Sequence, residues 1–102
     1  MNMNVHSLHF DADIKLVDFI KEKLNKLTQF HDNIISGDVT LHVGSDGERP
    51  ENKHVEIRLA VPGNDLFAKR KAASFEEAAV NTIEALRSQV EKDKTKLREV
   101  RG

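Results

Sequence analysis

The sequence predicts an α+β two-layer sandwich, β-α-β-β-β-α, with a four-stranded mixed sheet and two helices packed on one face. Three observations predict it. Val55, Ile57, Leu59 and Val61 alternate with Glu56, Arg58 and Ala60, the period of a strand with one buried face. Ile14, Val17, Ile20, Leu24 and Leu27 recur at helical spacing, as do Phe75, Ala78, Ala79, Ile83, Leu86, Val90 and Leu97. Short polar connections separate the three central apolar runs, which implies antiparallel neighbours.

Taken in order, Met1 to Phe10 reads as a first strand. Its alternation slips by one near Ser7, the signature of a bulge. Asp11 or Asp13 caps a helix from about Asp13 to Phe30, widened by Leu16, Phe19 and Phe30. The His31-Asp32-Asn33 run ends it. After Gly37, Val39, Leu41 and Val43 alternate with polar residues, then GSDGERPENK forms a loop of turn formers. The strand from Val55 to Val61 follows, then the turn Pro62-Gly63-Asn64-Asp65, and Leu66 to Ala73 returns as the last strand. Ser74 with Glu77 is a capping-box pair opening a helix that runs to Arg98. At about 1.5 Å per residue that helix is roughly 37 Å long. A first strand followed by a helix and a second strand implies a parallel pair joined by a right-handed crossover.

A chain of 102 residues is expected to be one domain, spanning 1–102, with a flexible end at about 99–102. The absence of cysteine removes disulfides and thiolate metal sites and fits a reducing cytoplasm. The N-terminus has no basic region followed by an apolar run, and no apolar stretch is long enough to span a bilayer. Neither a secretory signal nor a membrane partner is therefore expected.

Net charge is −1, but its distribution is uneven. From Arg87 onward six cations face three acids, a balance of +3, leaving −4 for the rest of the chain. On a helical wheel Gln89, Lys92 and Lys96 lie on one flank of the buried stripe and Arg87, Lys94 and Arg98 on the other. Glu77, Asn81, Glu84, Ser88, Glu91, Thr95 and Glu99 point away from it. Lys23 and Lys26 flank the first helix's stripe on the side of Phe19 and Phe30, a pairing of cations and aromatics suited to RNA. The alternative for all these lysines is a solvated face whose stems cover apolar surface. Lys69, Arg70 and Lys71 near the sheet are a second group of candidate RNA contacts, of which alternation puts only some on any one face.

The five histidines, His6, His9, His31, His42 and His54, show no metal-ligand spacing. No serine sits in a nucleophile motif, and Gly44-Ser45-Asp46-Gly47 is too short and acidic to cradle phosphate. No catalytic residue, cofactor, metal or small-molecule substrate is expected.

In the last helix, LRSQVEKDKTKLR resembles the signature of the short ribosome hibernation promoting factors, or ribosome-associated translation inhibitors. Leu86, Gln89, Lys92, Lys94, Lys96, Leu97 and Arg98 occupy its positions. Lys23, Leu24, Lys26, Leu27 and Phe30 match the family's first-helix pattern, and VEIRLAVPG and LFAKRKA fit its third and fourth strands. The chain departs where the family often has Asp-x-Tyr-x-Ala, here Ser74-Phe75-Glu76-Glu77-Ala78, and where His is common, here Asp93.

The resemblance implies a protein, monomeric when free, that binds ribosomal RNA in the messenger and transfer RNA channel of the small ribosomal subunit. It blocks translation reversibly under stress or in stationary phase. Lys23, Lys26, Arg87, Gln89, Lys92, Lys94, Lys96 and Arg98 would be its RNA contacts. Three other readings stand beside it. The α-β-β-β-α portion resembles the double-stranded-RNA-binding module. The histidines invite a small α/β enzyme, and an exposed strand edge invites a protein-interaction domain.

Overall fold

The chain runs β1 (Asn2–Ser7), α1 (Ile14–Thr28), β2 (Ser36–Val43), β3 (Lys53–Val61), β4 (Asn64–Ala72) and α2 (Phe75–Arg101). The structure, a computed structural model, describes residues 2–29, 31, 33–45 and 49–101, those from 93 onward as backbone only. The four strands form one sheet in the order β1-β2-β3-β4, parallel between β1 and β2 and antiparallel thereafter. The expected fold class is the one observed.

The residues explain each boundary. The slip near Ser7 is not a bulge. β1 pairs in unbroken register from Asn2↔Ser36 to Ser7↔Leu41, and the chain then bends away through His9, whose φ is 67°. The backbone amide of Lys15 donates to the Asp13 carboxylate at 2.9 Å, so Asp13 rather than Asp11 caps α1. The expected end of α1 at Phe30 lies outside the described residues. β2 begins earlier than its apolar run because Gly37 belongs to it. A Cβ there would sit 3.2 Å from Leu59 Cδ2 and 3.4 Å from Leu24 Cδ2, so glycine lets α1 lie close on the sheet. Val61 pairs with Asn64, leaving Pro62 and Gly63 as a two-residue loop with Gly63 at φ 82°. The Ser74 hydroxyl accepts from the amide of Glu77 at 3.2 Å and opens α2.

Both helices cover one face of the sheet. Ile20, Leu24 and Leu27 of α1 meet Val39, Leu41, Val55, Ile57 and Leu59 of the sheet, with Ala79, Ile83, Leu86 and Val90 of α2 completing the core. Ile14, expected in the α1 stripe, is 68% exposed because it precedes the first turn that reaches the sheet. Thr82 is fully buried in α2, its hydroxyl 2.7 Å from the Ala78 carbonyl and 3.3 Å from that of Val55. One apolar face committed to helices leaves the other face of the sheet open. Its polar residues, among them Asp38, Thr40, His42, His54, Glu56, Arg58, Lys69 and Lys71, alternate with the buried ones.

Candidate nucleic-acid interface

α1 and α2 pack side by side, and their packing opens a cleft of about 160 Å³ lined by Lys23, Lys26, Val80, Ile83, Glu84 and Arg87. A second hollow of about 270 Å³ is lined by Leu27, His31, Arg87 and Glu91. Arg87 lines both and links them. Helical spacing accounts for the convergence. Lys23 and Lys26 are three residues apart on α1 beside its buried Leu24 and Leu27, and Arg87 follows the buried Leu86 on the flank that meets α1.

The chemistry of the cleft is cationic with apolar walls. The Lys23 ammonium lies 5.6 Å from the centroid of the Phe19 ring, near enough for a cation–π contact. Lys26 reaches Glu22 at 3.9 Å, but both side chains are more than half exposed, so the pair holds the lysine only weakly. One expectation is corrected here. Glu84 and Glu91 do not simply point outward; they reach the rims of these hollows beside Arg87. Among the described residues, the two hollows therefore present three cations and two carboxylates, a local balance of +1.

The remaining candidates lie elsewhere. Gln89 faces β4, where its Nε2 donates to the Phe67 carbonyl at 2.8 Å and closes a backbone acceptor on an edge strand. Lys92, on the same flank by helical spacing, is exposed. The two flanks of α2 thus face different neighbours, and cations from both cannot converge on one cleft. Lys94, Lys96 and Arg98 continue the backbone of α2, but their side chains, like that of Leu97, lie outside the described residues. Phe30 lies outside them as well.

Lys69, Arg70 and Lys71 lie on β4. Together with His42, His54 and Glu56 they line a hollow of about 650 Å³, the open sheet face contributing most of it. In register, His54 faces His42 on one side and Lys71 on the other, while Glu56 faces Thr40 and Lys69. The His42 and His54 rings stack at 4.5 Å between centroids, 13° from parallel. Sequence reasoning weighed the histidines as metal ligands and as residues of a small enzyme, and missed this pairing. Outward alternation on two neighbouring strands was the available signal, but the register that brings His42 and His54 together was not. Among the described residues, no group of three His, Cys, Asp or Glu side chains is placed to hold a metal ion, and no helix is long and apolar enough to cross a membrane.

The model of the Sigma 54 modulation protein / S30EA ribosomal protein family matches residues 3–98. The chain belongs to that family. The resemblance read from the lysine-rich helix ends is thereby confirmed at the level of the family. A relative in Deinococcus radiodurans named ribosome hibernation promotion factor is 30% identical over 79 residues. That match takes in 78% of this chain and 41% of the relative, so the chain spans about two-fifths of the relative's length. The S30EA family fold is also seen in two solved structures. A ribosomal subunit interface protein from Coxiella burnetii superposes with a TM-score of 0.83 at 18% identity, over 93% of this chain and 99% of that one. The N-terminal domain of Thermus thermophilus Protein Y does so with a TM-score of 0.75 at 20% identity, over 90% and 98%.

Proposed function

We propose that this protein is a ribosome hibernation factor that binds the small ribosomal subunit in the channel for messenger and transfer RNA. It acts without catalysis, in the cytoplasm, under stress or in stationary phase, and is a monomer when free. One observation carries the reading: in a chain of this family, Lys23 and Lys26 from α1 and Arg87 from α2 converge on a single interhelical cleft. Cations gathered against apolar walls neutralise RNA phosphates and release their counterions, while shape rather than base readout sets the position. Lys94 and Arg98 extend this contact along the Arg87 flank of α2, while Gln89, Lys92 and Lys96 make a separate RNA contact on its β4 flank.

Co-sedimentation with small ribosomal subunits tests this reading. Lys23→Glu together with Lys26→Glu should release the protein from the subunit fraction while its circular dichroism stays that of the wild type. Equal sedimentation of variant and wild type would sink the assignment. A gel shift with an RNA duplex alone separates this role from that of a general duplex binder, which would shift the duplex as strongly as it retains subunits.

A further inference from the structure

The open face of the sheet is not used by the interhelical cleft, and its contents are unusual for a merely solvated surface. Among the described residues, Lys69 and Lys71, with Arg70 at the edge beside Val55, bring three cations to the 650 Å³ hollow, and Glu56 brings one carboxylate. Two imidazoles stack across the β2–β3 pair within it. His42 Nδ1 is shielded from solvent with no hydrogen-bond partner, and the Glu56 carboxylate stands 3.9 Å away, beyond hydrogen-bond reach. A proton on that nitrogen would be directed at Glu56 and would offset the carboxylate's repulsion of an anion. Other charged or titratable groups on this face, among the described residues, are Asp38, Arg58 with its ion-pair partner Asp65 at 3.7 Å, and His6 on β1, opposite Thr40. Both helices lie on the far side of the sheet.

We propose that this hollow is a second oxyanion site, strengthened by acid, in which Lys69, Lys71 and the His42–His54 pair hold a phosphate group of RNA. Histidine is the side chain whose charge changes around neutral pH. Two charged rings 4.5 Å apart would repel, so no more than one added charge is counted on the stack. Counting the described residues alone, one added proton would raise the balance around the hollow from +2, with neutral imidazoles, to +3. An exposed aromatic nearby points to RNA rather than to a free oxyanion. Phe67 is 42% exposed, two residues before Lys69 on the same face of β4, and Arg58 lies 5.5 Å from its ring centroid. The inference extends the proposed RNA binding to a new face, but its test uses no ribosomes, so the two readings fail separately.

The test is a residue-resolved NMR titration of the full chain with two probes, sulfate and a hexauridylate, whose charges are constant over the range used. Both should shift resonances of His42, His54, Lys69 and Lys71. Hexauridylate binding at about pH 6 should be about fivefold tighter than at about pH 7.5, the effect of one added charge at roughly 4 Å from one phosphate in a water-like medium, and the ratio for divalent sulfate should be larger. His42→Gln with His54→Gln should erase that difference, and Lys69→Gln with Lys71→Gln should weaken binding at both pH values. Glu56→Gln should tighten binding near pH 7.5, the sign opposite to that of a cation site. The proposal is overturned if Glu56→Gln weakens binding, if the double histidine variant keeps the pH difference, or if sulfate alone shifts this face.

Discussion

Arg87 is the residue on which the cleft reading is most exposed to test, because it lines both hollows between the helices. Its replacement by Gln keeps much of the stem and removes one charge. Counterion release sets the magnitude: each phosphate contact adds about 0.9 to the slope of log affinity against log salt. If Lys23, Lys26 and Arg87 each hold a phosphate, their share of the affinity falls about 40-fold between about 50 and 200 mM salt. With Arg87→Gln that share falls only about 12-fold, and the slope drops by about 0.9 whatever the other cations contribute. The loss should be greatest at low salt, because Glu84 and Glu91 then face the RNA with one fewer neutralising neighbour. Fluorescence anisotropy of labelled protein titrated with small subunits, repeated across salt, reads the slope directly. Lys15→Gln, on the first turn of α1 and away from both hollows, is the control and should leave it unchanged. A slope equal to wild type in Arg87→Gln would refute phosphate contact at the cleft.

Two further outcomes concern the scaffold. Leu24 is fully buried where α1 meets the sheet, so Leu24→Ala should cost about 2–5 kcal/mol in chemical denaturation, and a loss below about 1 kcal/mol would contradict the packing described. Ser74→Ala removes the cap on α2 and should cost about 1 kcal/mol by the same measurement, with subunit binding at saturating protein unchanged.

The fold was legible in the sequence wherever one residue's period sufficed. The alternation of Val55 to Val61 and the Ser74 cap needed nothing beyond their own neighbours, and both appear as read. The site was legible only in part, because a wheel gives angles around a helix but not which element stands at each angle. Arg87 and Gln89 looked equivalent on opposite flanks of α2. The fold gives Arg87 to α1 and ties Gln89 to the β4 backbone through Phe67. Ser7 misled for a related reason: a strand's end and a bulge disturb alternation alike, and only pairing tells them apart. The His42–His54 stack depends on register between strands joined by a long loop, which hydrophobic alternation fixes only as to face.

The placement of charge also bears on the shape of the partner. A chain of net charge −1 attracts RNA only through local fields, because at physiological salt charges farther than about 8 Å are largely screened. Among the described residues the interhelical hollows carry a local excess of +1 and the sheet-face hollow +2, and these lie on opposite layers of a molecule 19 Å across its shortest axis. A straight RNA duplex presents one convex surface and meets one of the two layers. An RNA groove that encloses the domain meets both at once, and its contacts on the two layers share a single cost of association. If both proposed sites hold RNA, a concave RNA surface would suit the two-sided distribution better than a free duplex.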